Sequence, residues 1–495
     1  MSLPPPQRHE YKPAYRQAGS SPLKLIYIQM KNLMLLAVTV CGCLIAQAQS
    51  TPSRPNIILI MADDLTYNDI EPYGSKQVHT PNIARLAKEG ICLDNMFTST
   101  AMCAPTRQQL MTGLYPVRNG AYPNHSEVYK NTRSIAHYMK DLGYNTALIG
   151  KQHYGPVQSF PYDFLGGRNG DNGNGQDIDL KIAEDYIKKS KGKPYLLVVT
   201  SNQPHTPWNR GNASAYPPEK IKLPPGFEDT PLTRKSMSSY FAEITYLDSL
   251  VGVCLDMVER SGQKQNTLVM FTSEQGSSFP FGKWTNYDQG LKTAFIARWP
   301  GKIKPSSRNK AMTQYVDVVP TLIDIAGGNP TSLNTGTKDA NGRTGFDGKS
   351  FKKVLMGETS SFRNYVFGVH TTRGIISGSE AYAIRSARNN KYLYIHNLNY
   401  KSKFSNVVTE SALLQQWIKK DKTGRGNFYL QRPEEELYDI VNDPYELVNL
   451  AKKPELKGVM NELKSQLASF MKQQGDLGVA TEMKAMERQA KTSED

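Results

Sequence analysis

The chain has 495 residues, 39% of them hydrophobic and 21% charged, with a formal net charge of +15. This excludes fibrous, collagen-like and largely disordered classes, and the length allows a large core and more than one substructure. The basic balance favours capture of a polyanion, yet there is no nucleic-acid recognition motif and no dense Lys/Arg run, so nucleic acid is not the expected partner.

Residues 1–29, with three consecutive prolines and no periodicity, read as a non-native or disordered leader. Met30-Lys31 then introduces the apolar run Leu33 to Ala46, too short to cross a bilayer comfortably, followed by the small-x-small pattern Ala46-Gln47-Ala48. Residues 30–48 are therefore expected to be a signal peptide, with Gln49 the first mature residue. Export to the periplasm or medium follows, without stable membrane insertion. Lipidation near Val40-Cys41-Gly42-Cys43 is the lesser alternative. Removing residues 1–48 takes out five Lys/Arg and one Glu, which lowers the charge from +15 to +11. It leaves Cys92, Cys103 and Cys254, too few for a disulfide scaffold and an odd number that cannot all pair with one another.

Asn56 to Ala62 is a continuous apolar run of strand length, as in a parallel strand covered on both faces, and it delivers Asp63-Asp64. Two adjacent carboxylates there call for a cation or a cluster of donors. Thr80-Pro81-Asn82 caps a short helix that stops at Gly90, and a second helix spans Ser134 to Leu142. The strand Thr146 to Ile149 delivers Gly150-Lys151-Gln152-His153. Gly166 to Asp177 resembles a calcium loop, but no glutamate closes it, so it reads as a flexible surface insertion. The strand Tyr195 to Thr200 delivers Pro204-His205-Thr206-Pro207. A long helix through Tyr240, Leu247 and Val258 follows, and Thr267 to Thr272 delivers Ser273-Glu274-Gln275-Gly276, then Gly282-Lys283. Strands alternating with helices predict a mostly parallel α/β sheet, in which ligands gather beyond the carboxyl ends of the strands. Past Gly327 the pattern becomes loop-rich. The segments Ala381 to Arg385 and Tyr392 to His396 suggest an antiparallel sheet in a smaller C-terminal α+β subdomain. Leu456 to Phe470 reads as a terminal amphipathic helix, and the polar tail after Gly475 is expected to be mobile.

The stretch Thr98 to Gly113 places Cys103 just ahead of Pro105, a residue preset for the first turn of a helix, with Arg107 one turn on. A thiol at a helix N-terminus lies in a field that favours its anion. Cys103, Pro105 and Arg107 resemble the Cys-x-Pro-x-Arg signature of the type I sulfatases, and Leu110, Thr112 and Gly113 continue the match. Thr106 replaces the family's usual Ser and keeps the hydroxyl. Asp63-Asp64, Gly150-Lys151-x-His153, Pro204-His205-x-Pro207, Glu274-Gln275-Gly276 and Gly282-Lys283 resemble the family's other elements in the family's order. The resemblance runs from about Pro55 to Leu450 and implies an alkaline phosphatase-like fold. Glu436-Leu437-Tyr438-Asp439 is similar to part of its C-terminal subdomain.

The resemblance implies that a maturation enzyme oxidises Cys103 to formylglycine (3-oxoalanine), whose hydrate attacks sulfur. One calcium ion would be held by Asp63, Asp64, the modified Cys103, Glu274 and Gln275. The usual second metal pair is Asp with Asn or His, so Glu274-Gln275 keeps the donor types with one more methylene each. Arg107 would anchor the nucleophile's surroundings, and Lys151 and Lys283 would bind sulfate oxygens. His153 would take a proton as sulfate is expelled, and His205 would protonate the leaving group. Stretches such as Ile149 to Pro156 resemble the N-sulfoglucosamine sulfohydrolase branch, which adds His125 and His370 as candidates for contacting sugar.

The resulting expectation is an exported sulfatase acting on a sulfated polysaccharide or its oligosaccharides. Heparan sulfate and other glycosaminoglycans, ulvan and carrageenan all remain open. The catalytic domain is expected over residues 49–360 and the C-terminal subdomain and tail over 361–495. The alternatives are a sulfamidase, a phosphatase or phosphonate hydrolase of the same superfamily, and an inactive polysaccharide-binding relative.

Overall fold

A computed structural model of the chain describes residues 1–2, 9–14, 23, 26–27, 30, 54–167, 178–190, 192–375 and 377–489. Residues 31–48 of the expected signal peptide, most of the leader and residues 168–177 of the Gly-rich insertion lie outside the described residues. The chain divides into two compact units, Met1–Ser53 and Arg54–Asp495, and both sheets belong to the second.

The main sheet has eight strands: β1 Asn56–Ala62, β2 Ile91–Phe97, β3 Asn145–Gly150, β4 Asp163–Phe164, β5 Tyr195–Thr200, β6 Thr267–Ser273, β7 Lys292–Arg298 and β8 Ser307–Gln314. They lie in the order β4-β3-β5-β1-β6-β7-β2-β8. The pairings of β7 with β6 and β2 are antiparallel and all others are parallel. β1, β5 and β6 are wholly buried because the sheet has a layer on each face. Ile58 and Ile60 of β1 point into a core shared with Phe241, Ile244, Leu247, Val251 and Leu255 of the long helix Pro231–Arg260. Ile57, Leu59 and Met61 point the other way, into a core shared with Leu110 and Met111 of the helix Cys103–Thr112 and with the helix Val318–Ile325. Each fully buried branched or aromatic side chain contributes on the order of 1.5–3 kcal/mol.

A second sheet, antiparallel, contains β9 Val366–His370, β10 Ile384–Arg388, β11 Tyr392–Asn397 and β12 Glu435–Asp439 in the order β12-β11-β10-β9. The helix Lys457–Gln474 covers one face with Met460, Leu463, Leu467 and Phe470. The other face shares a core with Met102, the residue before Cys103, and with Trp284. Val369 N donates to Ser99 O at 2.7 Å. The stretch leading into Cys103 is thus fixed against the second sheet while its helix packs on the first.

The described part of the tail, residues 476–489, is pinned rather than mobile. Val479–Met483 is helical. Arg385 forms a buried ion pair with Asp476, and Glu482 accepts from the amides of Thr372 and Arg373 at 2.8 and 2.7 Å. Arg488 donates to the carbonyls of Gly120 and Glu127 at 3.0 and 2.8 Å.

Candidate active site

The register of the main sheet assembles the site. Gly150 pairs with Thr200, Met61 with Thr200 and Ala62 with Ser273, so Lys151, Ser201, Asp63 and Glu274 leave four adjacent strands at nearly one level. Glu274 N donates to Ala62 O at 3.0 Å, Ser201 N to Met61 O at 3.0 Å and Lys151 N to Thr200 O at 3.1 Å, which locks that level. Gly150 is required at its place: φ is +103°, and a Cβ would lie 2.0 Å from Thr200 O. The fifth contribution is the helix Cys103–Thr112, buried at every residue. Thr106 Oγ1 donates to Glu274 O at 3.2 Å, so the hydroxyl kept at this position ties the helix to the strand end. Trp284 N donates to Ala101 O at 2.9 Å and brings in the loop that carries Lys283.

Side chains from these segments meet in one buried cluster. One ligand atom from each of Asp63, Asp64, Cys103 and His205 falls within a mutual 4.8 Å. Asp63 Oδ2 accepts from Lys151 Nζ at 2.6 Å and lies 3.5 Å from Arg107 Nη2. Asp64 Oδ2 accepts from Ser278 Oγ at 2.6 Å and Lys283 Nζ at 3.0 Å, and His205 Nε2 lies 3.6 Å away. Gln275 Nε2 donates to Asp64 Oδ1 at 2.7 Å and lies 3.6 Å from Cys103 Sγ. Glu274 is turned toward Arg107, whose Nε is 2.5 Å from Oε2. The extra methylene of Glu274 thus carries its carboxylate to the guanidinium on the helix.

Electrostatics follow from burial and pairing. Burial works against the charge of Asp63, but Lys151, His205, a hydrogen bond with Glu274 and Arg107 outweigh it and hold the group far below the usual carboxylate range. Burial pushes Glu274 up to about 8, against Arg107 and helped by the neighbouring Asp63. Asp63 and Asp64, joined by Glu274 when it is ionised, face Arg107, Lys151 and Lys283. A divalent cation fits such a set, and the oxygens show room for one: Asp63 Oδ1 and Gln275 Oε1 are buried without a hydrogen-bond partner among the described residues.

A cleft of about 550 Å³ opens in front of the cluster. His125, His205, Ser278 and Lys283 supply polar groups, and Trp208 and Trp284 supply aromatic faces. Four of the nine described non-glycine residues with positive φ belong here: Asp64, His125, His153 and Trp284. Backbone strain of that kind collects where side chains are held for function. His205 Nδ1 lies 2.6 Å from Thr206 O, which only accepts, so Nδ1 carries a proton and Nε2 is the nitrogen left to exchange one. His153 Nε2 and His125 Nδ1 are 3.2 Å apart. One must donate and the other accept, so the two rings share a proton.

The structure therefore brings together Asp63, Asp64, Cys103, Arg107, Lys151, Glu274, Gln275, Lys283 and His205, with His153 and His125 on one side. His370 is placed elsewhere. It is 0% exposed at the end of β9 and packs edge-on to Phe404, so it presents no surface to a sugar. Because the Thr372 hydroxyl donates to Tyr382 O, His370 Nε2 must be the donor to Thr372 Oγ1 at 3.0 Å, which places a proton on that nitrogen. Burial, with Arg432 and Arg385 adding to it, holds its pKa well below 6.5. A folded-state value depressed in this way stabilises the fold above pH 6.5 and loses that stabilisation as pH falls. Denaturant titrations are expected to show stability dropping by up to about 1.4 kcal/mol per pH unit below that point, and His370→Gln is expected to flatten the slope. Ser278, which binds Asp64, and Asn124 and Ile375 in the cleft wall escape sequence reasoning, because they lie in stretches without a chemical motif.

Known proteins resemble this chain over most of its length. The sulfatase family model matches residues 55–328, and the model for the C-terminal part of N-sulphoglucosamine sulphohydrolase matches residues 276–405. An ulvan-active sulfatase of Formosa agariphila is 34% identical over 439 residues, covering 88% of this chain and 83% of that protein. The human N-sulphoglucosamine sulphohydrolase is 26% identical over 483 residues, covering 88% and 94%. A solved structure of a protein in complex with its substrate D-glucosamine-2-N,6-O-disulfate superposes with a TM-score of 0.67 at 20% identity, over 86% of this chain and 99% of the other.

Proposed function

The chain belongs to the sulfatase family and is a sulfuric ester hydrolase, and on that premise we propose an exported enzyme that removes sulfate from a sulfated polysaccharide or its oligosaccharides, using calcium and a formylglycine made from Cys103. The observation that carries this reading is the meeting of Cys103 with Asp63, Asp64 and His205 in a buried cluster at the floor of a cleft. A relative named for its action on ulvan and another named for N-sulphoglucosamine support the substrate class. The maturation enzyme is the protein partner this reading requires. We assign catalysis to residues 49–360, with 361–495 as the C-terminal subdomain.

A hydrated formylglycine at position 103 supplies a geminal hydroxyl as nucleophile, and a calcium ion supplies positive charge for the sulfate oxygens. Asp63, Asp64, Glu274 and Gln275 would hold that ion. With Arg107, Lys151 and Lys283 facing the carboxylates, a divalent ion would give the pocket a net positive charge matched to a sulfate monoester. Lys151 and Lys283 lie within 3.0 Å of the two aspartates and orient the anion. His205, half-buried at the cleft, protonates the departing oxygen or nitrogen from Nε2. His153, its Nε2 set 3.2 Å from His125 Nδ1, is the base for the opposite transfer, taking the proton on a ring nitrogen that carries none. The aromatic faces of Trp208 and Trp284 suit the apolar side of a sugar ring.

Release of sulfate and phosphate from matched aryl esters tests the reaction class, and desulfation across a panel of defined sulfated oligosaccharides tests the substrate. Sulfate release well above phosphate release is expected; the reverse would sink the reading. Chelation is expected to abolish turnover and to lower the melting temperature, with calcium alone restoring both. An ion present at 100 times its dissociation constant stabilises the fold by about 2.7 kcal/mol.

A further inference from the structure

A second cleft, of about 500 Å³, lies outside the catalytic pocket. Its lining brings Lys76, Lys220 and Lys222 together from two separate loops, with Tyr73 and Tyr445 beside them and Asp69 as the acidic member. The two loops are fastened to one another. Gln77 Nε2 donates to Lys222 O at 3.0 Å, and Lys222 N donates to Gln77 Oε1 at 2.6 Å. Arg234 of the long helix holds the second loop by donating to the carbonyls of Pro218 and Ile221 at 3.0 and 2.9 Å. Among the described residues the ammonium groups of Lys76, Lys220 and Lys222 form no ion pair and no side-chain hydrogen bond. Three exposed lysines thus line one cleft on a braced frame. Such a frame attracts repeated negative charge, and Tyr445 beside the lysines offers an aromatic surface for a sugar ring. A small cavity of about 50 Å³ shares Asn68, Pro224 and Tyr445 with this cleft and Phe279 with the catalytic pocket.

We propose that the cleft framed by Lys76, Lys220 and Lys222 is a second binding site, distinct from the catalytic pocket, for an anionic saccharide strand. It holds a stretch of the polymer away from the residue being cleaved, a role that rests on the polysaccharide reading above. Small sulfate esters, which never reach it, are turned over without its help.

The test uses the full chain and the triple variant K76Q/K220Q/K222Q. Binding to ulvan and to heparan sulfate is measured at several salt concentrations on a Cys103→Ala background, and p-nitrophenyl sulfate turnover with Cys103 intact. The variant is expected to lose roughly tenfold in affinity for at least one polymer at physiological salt, with a shallower salt dependence, an unchanged melting temperature and unchanged aryl sulfate turnover. Polymer affinities within twofold of the parent would overturn the proposal. So would an equal loss for duplex DNA, since that would mark charge alone. If the parent fails to hydrolyse aryl sulfate while the lysines still govern polymer binding, the catalytic reading falls and this site stands.

Discussion

Cys103→Ala is expected to lower sulfate release by roughly three orders of magnitude or more, the scale seen when a covalent nucleophile is removed. The position tolerates no substitute by geometry alone. Residue 103 is wholly buried at the start of its helix, 3.6 Å from Gln275 Nε2 and within reach of Asp63, Asp64 and His205. Alanine removes the sulfur from which the aldehyde is made but leaves the backbone that starts the helix, and it leaves the acidic cluster. The variant is therefore expected to fold with a melting temperature near the parent's and still to be stabilised by calcium. That separation of activity from folding and ion binding is the decisive readout. Mass spectrometry of the peptide spanning residue 103 is expected to show an aldehyde when the protein is made alongside a maturation enzyme. A persistent thiol in active protein, or an alanine variant with the parent's rate, would remove Cys103 from the chemistry.

Legibility in the sequence follows burial. The apolar runs predict β1 and β5 at their observed limits because both faces of each strand are covered, so the runs begin and end where the strands do. β8, with the sequence SRNKAMTQ at the sheet edge, carries no such run and has no sequence signal, whereas β7 carries the short apolar stretch Ala294 to Ala297, which says nothing of its running against its neighbours. The antiparallel sheet is legible, but the segment expected to begin at Ala381 becomes a strand only at Ile384. The Ala383 amide is taken by Asn399 Oδ1 and the Tyr382 amide faces Glu482, so side chains replace the ladder there. The site is legible as a set of polar loops after apolar strands, since parallel register brings such loops to one edge. What the pattern does not encode is which carboxylate faces which cation. Glu274 turning to Arg107 depends on helix placement, as does the burial of His370 on β9 and Arg385 on β10.

The tail is the clearest case of structure without periodicity, and Asp476→Asn is expected to cost roughly 3–5 kcal/mol, the range for stranding one member of a buried ion pair. Both side chains of the Arg385–Asp476 pair are fully buried, and Arg385 Nη1 also donates to His370 O at 2.8 Å. Burial disfavours the Asp476 carboxylate, but Arg385 outweighs it and lowers the pKa below 3.8. The pair's stabilisation is therefore present above pH 3.8 and lost as pH falls through the depressed value. Asparagine removes the charge at every pH and leaves the guanidinium buried without it, so denaturant unfolding is expected to show the loss at neutral pH. The consequence reaches the cleft. Asp476 Oδ1 accepts from Gly478 N at 3.0 Å and starts the turn into Val479–Met483, beyond which Gln489 donates to Gly374 O at 2.5 Å and Asn124 O at 3.4 Å. Asn124, His125 and Ile375 line the cleft, so a detached tail loosens the wall facing the sugar while the acidic cluster, built on other strands, stays in place. KM for oligosaccharides is expected to rise several-fold in Arg488→Ala, which cuts only the far end of this strap, with kcat on an aryl sulfate little changed. Stability of Asp476→Asn within experimental error of the parent would show that the tail braces neither the fold nor, through it, the cleft wall.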